Sequence, residues 1–144
     1  MNDVRFAIRH VLNPGTATGR ILKLSEPLSF WGGFNPVDGR IIDHNHPQAG
    51  DSITGMILAL PGSRGSAGTP GGVADALRRK VGPVAIVLPA PDVNITTGAQ
   101  VADRLYGTAT PVVTLSQEDF AQLATGSEAT VTDEDVVVAE SVSD

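Results

Sequence analysis

The first candidate for chemistry is a run of small and polar residues from Pro61 to Gly72, which follows an apolar segment. It reads Pro-Gly-Ser-Arg-Gly-Ser-Ala-Gly-Thr-Pro-Gly-Gly. In open α/β sheets, ligands bind beyond the carboxyl ends of strands, and free N–H groups beside a helix start favour an anion. Arg64 adds a planar guanidinium matched to carboxylate or phosphate, and Ser63 and Ser66 add hydroxyls. The pattern indicates an anion-binding loop, although a structural Gly/Ser/Pro turn explains it equally well.

A second candidate is the segment from Pro27 to Pro36, which holds the only tryptophan, Trp31, and two of the four phenylalanines. Aromatic side chains dominate contact energies at interfaces, and glycines in the same segment suit the rim of a pocket. A small hydrophobic cluster beneath a long loop is the alternative interpretation.

The third candidate, Asp43-His44-Asn45-His46, places two imidazoles one residue apart. Such a pair could bind a metal from a strand, but no third ligand stands nearby at a directed spacing. We therefore expect exposed or hydrogen-bonded histidines and no metal site. The sequence also has no GxSxG motif and no phosphate-binding P-loop.

The elements that must position these segments read as short strands with two helices. The predicted strands lie near residues 6–10, 20–25, 53–60, 84–88 and 111–115, and the helical patterns cover 73–81 and 98–106. In the second helix we expect Val101, Ala102 and Leu105 to face inward and Gly107 to form the C-cap. Alternation of strand and helix from residue 53 to 115 implies a parallel sheet, and the earlier strands imply an added β layer. The predicted fold class is a single α/β domain.

Composition and charge exclude several classes of protein. The 144 residues contain no cysteine, which excludes disulfides, a Cys-ligated zinc and thiolate ligands for an iron–sulfur cluster. A net charge of −6 with few aromatic residues argues against nucleic acid as a partner. No apolar run suits a membrane span, and the first residues do not read as a signal peptide, so we expect a cytoplasmic protein. From residue 131 to 144 we expect an acidic, frayed C-terminal tail after a domain over 1–130.

Three motifs, taken together, resemble a known family. They are Leu28-Ser-Phe-Trp-Gly-Gly-Phe-Asn-Pro-Val-Asp-Gly39, then Ile41-Ile-Asp43 with His46-Pro47 and Gly50, then Leu60-Pro-Gly-Ser-Arg-Gly-Ser66. The likeness covers about residues 11 to 115. The chain resembles the swivel-domain small subunit of the aconitase X family. The resemblance implies a three-layer β/β/α swivelling domain with central strands and short helices.

The resemblance also implies a function. Family members dehydrate cis-3-hydroxy-L-proline or (R)-5-phosphomevalonate, and a large cysteine-bearing catalytic subunit carries the iron or iron–sulfur cluster. This chain would be the small subunit of the heterodimer, inactive alone, binding neither membrane nor nucleic acid. The runner-up interpretation is a non-catalytic anion-binding or swivelling carrier module.

The matching motifs imply which residues of this sequence form the family's site. Ser66 matches the family's proton-abstracting serine, and we expect Ser63, Arg64 and Gly65 to bind substrate. Ser29, Trp31, Gly32 and Gly33 are expected to close the pocket or face the partner subunit. Two features depart from the family: Asn35 stands where an aspartate is usual, and Ala67-Gly68-Thr69-Pro70-Gly71-Gly72 follows Ser66 where further serines are usual.

Overall fold

The computed structural model describes residues 3–30, 32–65 and 68–139; Trp31, Ser66 and Ala67 lie outside the described residues. The strands are β1 (Val4–Ala7), β2 (His10–Asn13), β3 (Ala17–Lys23), β4 (Ile57–Ala59), β5 (Ala85–Leu88), β6 (Val112–Thr114), β7 (Glu128–Val131) and β8 (Asp135–Val138). The helices are α1 (Thr69–Arg78), α2 (Val93–Tyr106) and α3 (Gln117–Ala121). Within these ranges, no helix has the length and apolar character needed to cross a lipid bilayer.

The strands form one sheet in the order β1-β8-β7-β3-β4-β5-β6-β2. Strands β3 to β6 run parallel, and the other neighbours pair antiparallel. Only Ile8 and Arg9 separate β1 from β2, yet these strands lie at opposite ends of the order. The sheet therefore bends back on itself. At the junction the Ile8 N–H donates to the Glu134 carbonyl (3.1 Å), and the Arg9 N–H donates to the Thr114 carbonyl (2.9 Å).

Buried side chains alternate between the two faces of the central strands, so the core consists of two hydrophobic clusters, one on each face. Successive side chains of a strand point to opposite faces. In β4, Leu58 joins a cluster with α1 and α2, whereas Ile57 and Ala59 join a cluster with β1, β7 and β8. Helices thus cover one face of the parallel strands and a β layer covers the other. This arrangement confirms the predicted β/β/α fold class.

Both long helices begin earlier than the sequence pattern predicts. Helix α1 begins at Thr69, within the run interpreted as loop, because Pro70 is tolerated in a first helical turn. Helix α2 begins at Val93, because the Asp92 side chain caps it by accepting from the Ile95 N–H (2.9 Å).

The predicted inward face of α2 is wrong at two of its three positions. Ala102 is buried, but Val101 and Leu105 are 40% and 64% exposed. The helix instead packs on α1 through Ile95 and Ala99, which are fully buried. The predicted C-cap is confirmed, since Gly107 has φ +69° and donates its N–H to the Asp103 carbonyl.

The sheet continues past residue 130, where the sequence analysis placed an acidic tail. Strand β8 pairs with both β1 and β7, and Val136 is fully buried in the β layer. Residues 131–139 are therefore not a frayed terminus. The acidic side chain of Asp135 forms an ion pair with Arg5 (3.1 Å) across the β1–β8 pair. The remaining tail, residues 140–144, lies outside the described residues.

Candidate functional site

Three loops meet at the carboxyl edge of the parallel strands. Residues 24–36 follow β3, residues 60–68 follow β4, and residues 89–92 follow β5. Because these strands are parallel neighbours, the loops that leave them begin side by side. This edge is where open α/β sheets bind ligands. The middle loop comes from the run that the sequence singled out, Pro61 to Gly72. It is called the 61–68 loop, and the structure describes its residues 61–65 and 68.

Backbone hydrogen bonds join the first loop to the 61–68 loop. The Leu28 N–H donates to the Gly62 carbonyl (3.2 Å), and the Arg64 N–H donates to the Leu28 carbonyl (2.9 Å). Gly65 has φ +111°, a conformation that favours glycine, and a Cβ built there would lie 3.8 Å from the Ser29 Oγ. The structure thus brings Ser29 beside the predicted substrate-binding segment, although 34 and more residues separate them in sequence.

The guanidinium of Arg64 is available at the surface but does not act alone. It forms an ion pair with Glu26 at 3.2 Å, and the two side chains are 48% and 44% exposed. Arginine has five N–H donors, so further donors remain for a second carboxylate or a phosphate. An incoming anion would share this guanidinium with Glu26 or displace it.

Ser63 is engaged by a residue that the sequence analysis did not select. Its backbone N–H and its hydroxyl both donate to Asp92 Oδ2, at 2.7 Å and 2.8 Å. Asp92 belongs to the third loop and caps α2 with its other oxygen. The cap signal, an aspartate before the first helical residues, is present in the sequence and could have located it. Its contact with Ser63 could not be read from local pattern.

The N-terminus of α1 leaves hydrogen-bonding capacity beside the 61–68 loop. Among the described residues no side chain caps this helix at its N-terminus, and the first turn of the helix has no acidic residue. The hydroxyl of Thr69 is buried and has no hydrogen-bond partner among the described residues. Buried polar groups normally have a partner, so this end of α1 suits a polar or anionic ligand.

The predicted pocket-closing residues separate into different environments. Gly32 is exposed and borders a cavity of about 340 Å³, whereas Gly33 is buried, with a hypothetical Cβ only 2.4 Å from the Ser29 carbonyl oxygen. Trp31 and Ser66 lie outside the described residues, so their roles stay predictions. The residues that line the cavity are Phe30, Gly32, Phe34, Pro36, Ile42, Gly72 and Asp75.

Asp75 is the charged residue at this cavity, and its carboxylate forms ion pairs with two arginines at the end of α1. The side-chain hydrogen bond from Arg78 (2.6 Å) lowers the pKa of Asp75, and Arg79 lowers it further. Both arginines lie one turn along the same helix face. We conclude that Asp75 is held ionised by its own helix.

Both the sequence and the fold of this chain match those of known proteins. The sequence model described as the aconitase X swivel domain matches residues 5–139. The chain belongs to this family. The fold superimposes on the crystal structure of Thermococcus kodakaraensis aconitase X in its holo-form with a TM-score of 0.83 and 27% identity, covering 95% of this chain and 99% of that one. It is also similar to the solution NMR structure of a UPF0107 protein (TM-score 0.81, 28% identity, 95% and 100% covered).

Relatives of this swivel domain fall into two lengths. The cis-3-hydroxy-L-proline dehydratase of Hypocrea jecorina is 37% identical over 76% of this chain, and that of Pseudomonas aeruginosa is 36% identical over 86%. The matches span only 18% and 21% of those proteins. The phosphomevalonate dehydratase small subunit of Methanothermobacter thermautotrophicus is 38% identical over 64% of this chain and 70% of its own length.

Within residues 3–30, 32–65 and 68–139, the side chains offer no ligand set for an iron site. The chain has no cysteine, and the described residues contain no group of three His, Cys, Asp or Glu that could hold a metal ion. His46 is buried, and both ring nitrogens contact backbone groups: Nδ1 accepts the Gln48 N–H (3.0 Å), and Nε2 lies 3.3 Å from the Glu26 carbonyl. His46 therefore holds the segment that carries Glu26.

Proposed function

We propose that this chain is the small subunit of a heteromeric hydro-lyase and completes an active site whose larger part is on a second aconitase X chain. The dehydratase names of the relatives support the reaction class. The division into two chains is supported by the name of a relative, the phosphomevalonate dehydratase small subunit of Methanothermobacter thermautotrophicus, which matches this chain over 70% of its own length. The substrate class is a hydroxy acid of the cis-3-hydroxy-L-proline or phosphomevalonate type.

The observation that carries the proposal is the placement of the 61–68 loop. Its described residues 61–65 lie at the carboxyl edge of the sheet, between two other loops, and α1 begins shortly after them at Thr69, with no described side chain as a cap. A domain that closes over a partner's substrate would present such an edge, because the backbone N–H groups of a helix start and a guanidinium there match an acid. The far edge of the sheet holds the helix C-termini, whose partial negative charge disfavours an anion.

Ser66 is the proposed proton acceptor. Dehydration of a hydroxy acid needs a base to take a proton from carbon, and the C–H electron pair then forms the new double bond as the neighbouring hydroxyl leaves. A serine hydroxyl is a weak base until its own proton has passed to water, which a positive environment favours because it stabilises the alkoxide. Arg64 and the N-terminus of α1, which flank Ser66 in sequence, supply positive potential for that alkoxide.

Arg64 and the start of α1 have a second proposed task, which is to bind the acid group of the substrate. The guanidinium fork matches a carboxylate. The hydroxyl of Thr69, which has no hydrogen-bond partner in the described part of the chain, can donate to an oxygen. Glu26 opposes this binding through its ion pair with Arg64. We infer that substrate competes with Glu26 for the guanidinium.

Iron, where the reaction uses it, is proposed to belong to the large subunit. This chain lacks thiolates, and its described residues offer no ligand cluster. The contribution of this chain is then confined to proton transfer, acid binding and exclusion of water.

The substitution Ser66→Ala in the assembled two-chain enzyme tests the serine's role. We expect kcat to fall by on the order of a thousandfold or more, because the general base is lost, while the complex still assembles. Ser127→Ala, at a serine in the turn before β7 and outside the three loops, is the matched control and should keep its rate. Near-normal turnover of Ser66→Ala would overturn the catalytic role and favour the anion-binding module.

A further inference from the structure

The carboxylate of Asp92 connects two elements at the candidate site. Its Oδ1 accepts the Ile95 N–H (2.9 Å) and caps α2. Its Oδ2 accepts both the N–H and the hydroxyl of Ser63, at 2.7 Å and 2.8 Å. One side chain therefore fastens the 61–68 loop to the beginning of a helix that is itself packed on α1.

The 61–68 loop needs such a fastening because its backbone is otherwise permissive. Gly62 and Gly65 flank the anchored segment, and both have positive φ, a region where glycine has far more freedom than other residues. A Cβ at Gly62 would lie 3.3 Å from Asp92 Oδ2, so glycine there also permits the close approach of the carboxylate. The contacts with Leu28 hold one side of the loop, and Asp92 holds the other.

Helix capping alone does not require a carboxylate at this position. Asparagine and serine cap helices about as well as aspartate. Two donors from Ser63 converge on a single oxygen of Asp92 while the other oxygen serves the helix. Only a carboxylate offers two acceptor oxygens in this geometry, since an amide replaces one of them with a donor.

We propose that Asp92 is a positioning residue that fixes residues 61–65 of the 61–68 loop, the described segment that directly precedes Ser66 in sequence. This inference rests on the proposed function, in which Ser66 of that loop takes the proton. It assigns the Ser63 hydroxyl first to Asp92 and only secondarily to substrate. A small displacement of a reacting group costs a large factor in rate, so loss of the anchor lowers kcat more than it raises KM.

Two substitutions separate the anchor from the cap. Asp92→Ser keeps a capping hydroxyl but is too short to serve Ser63, and Asp92→Asn keeps one acceptor oxygen instead of two. Both should lower kcat of the two-chain enzyme by about tenfold to a hundredfold, with KM changed by less than about threefold.

The matched control is Asp103→Asn in the same helix. Asp103 also accepts several hydrogen bonds, from Asn13, Thr108 and the Thr110 N–H, but it lies eleven residues along α2, or roughly 16 Å away. It should lower the melting temperature as much as the Asp92 variants do while kcat stays unchanged. Equal losses of kcat in Asp92→Ser and Asp103→Asn would overturn the proposal in favour of general destabilisation.

A double-mutant cycle tests the partner. Ser63→Ala should lower kcat in the wild-type background and have little further effect in Asp92→Ser, because its hydroxyl acts through that carboxylate. Additive effects of the two substitutions would overturn the positioning role and assign Ser63 directly to substrate.

Amide hydrogen exchange in the full chain gives a readout that does not depend on catalysis. In Asp92→Ser, exchange at the Ser63 N–H should accelerate by about tenfold or more while the Ile95 N–H stays protected. Unchanged exchange at Ser63 would overturn the anchor. If Asp92→Ser accelerates exchange at Ser63 but Ser66→Ala leaves the rate of the two-chain enzyme unchanged, the anchor stands and the proposed function is contradicted.

Discussion

At the scale of single residues, the charge beside the 61–68 loop is set by the ion pair between Arg64 and Glu26, which could not be predicted from the sequence. Arg64 was selected as an anion ligand from its place in the loop, and the structure leaves it half exposed at that edge. Its partner Glu26 is 38 residues away in sequence, and Asp92 is 29 residues from Ser63. The loop itself could be predicted from composition. The carboxylates that hold it could not, because tertiary packing brings them there.

Arg64→Ala should raise KM for an acidic substrate by about tenfold or more, since a hydrogen bond to a charged group is lost. The melting temperature should hardly change, because an exposed ion pair contributes at most about 1 kcal/mol to stability. Steady-state kinetics and thermal unfolding of the two-chain enzyme measure both quantities. Glu26→Gln is the control: it removes the competitor of the substrate, so KM should not rise. A KM that rises equally in both variants would count against Arg64 as a substrate ligand.

At the scale of elements, the start of α1 shows where local pattern misleads. The sequence Thr-Pro-Gly-Gly from Thr69 reads as loop, because proline and glycine are poor inside helices. In the structure these residues form the first turn, and Gly72 lets the helix approach the first loop closely. A Cβ at Gly72 would lie 2.2 Å from the Phe30 carbonyl oxygen, whereas a Cβ at Gly71 would meet nothing within 4 Å.

These adjacent glycines provide a matched pair. Gly72→Ala should lower the free energy of unfolding by roughly 1–3 kcal/mol, because the backbone around Phe30 must shift to admit the methyl group. Gly71→Ala should leave stability unchanged or raise it by up to about 1 kcal/mol, because alanine favours the helix. Denaturant unfolding of both variants measures the difference. Equal stabilities would mean that α1 does not pack on the first loop as described.

At the scale of the whole molecule, the parallel strands of the sheet could be predicted from the sequence. The antiparallel strands β1, β2, β7 and β8 could be predicted only in part. Strands β4, β5 and β6 are fully buried and apolar, which gives them a clear signature in sequence. Strand β8 lies in an acidic stretch, and its partner β1 is more than 120 residues away. Pairing between strands so far apart in sequence leaves no local pattern. The sequence therefore predicts that the domain ends at residue 130, before the acidic residues 133–135.

The same scale explains the proposed dependence on a second chain. This domain supplies one edge with a loop, a guanidinium and a helix N-terminus, but its described residues hold no metal-ligand cluster. A chain in the crystal structure of Thermococcus kodakaraensis aconitase X (holo-form) has the same fold. Under the proposed function, the domain acts as one half of a site.

The most direct test of this account is the rate of dehydration measured with this chain alone, with the large aconitase X chain of the same genome alone, and with both together. Cis-3-hydroxy-L-proline and 5-phosphomevalonate are offered in parallel to each preparation. The account predicts turnover of one of these acids only when both chains are present. Full activity in either separate chain, or none for either acid in a complex shown to have assembled, would contradict it.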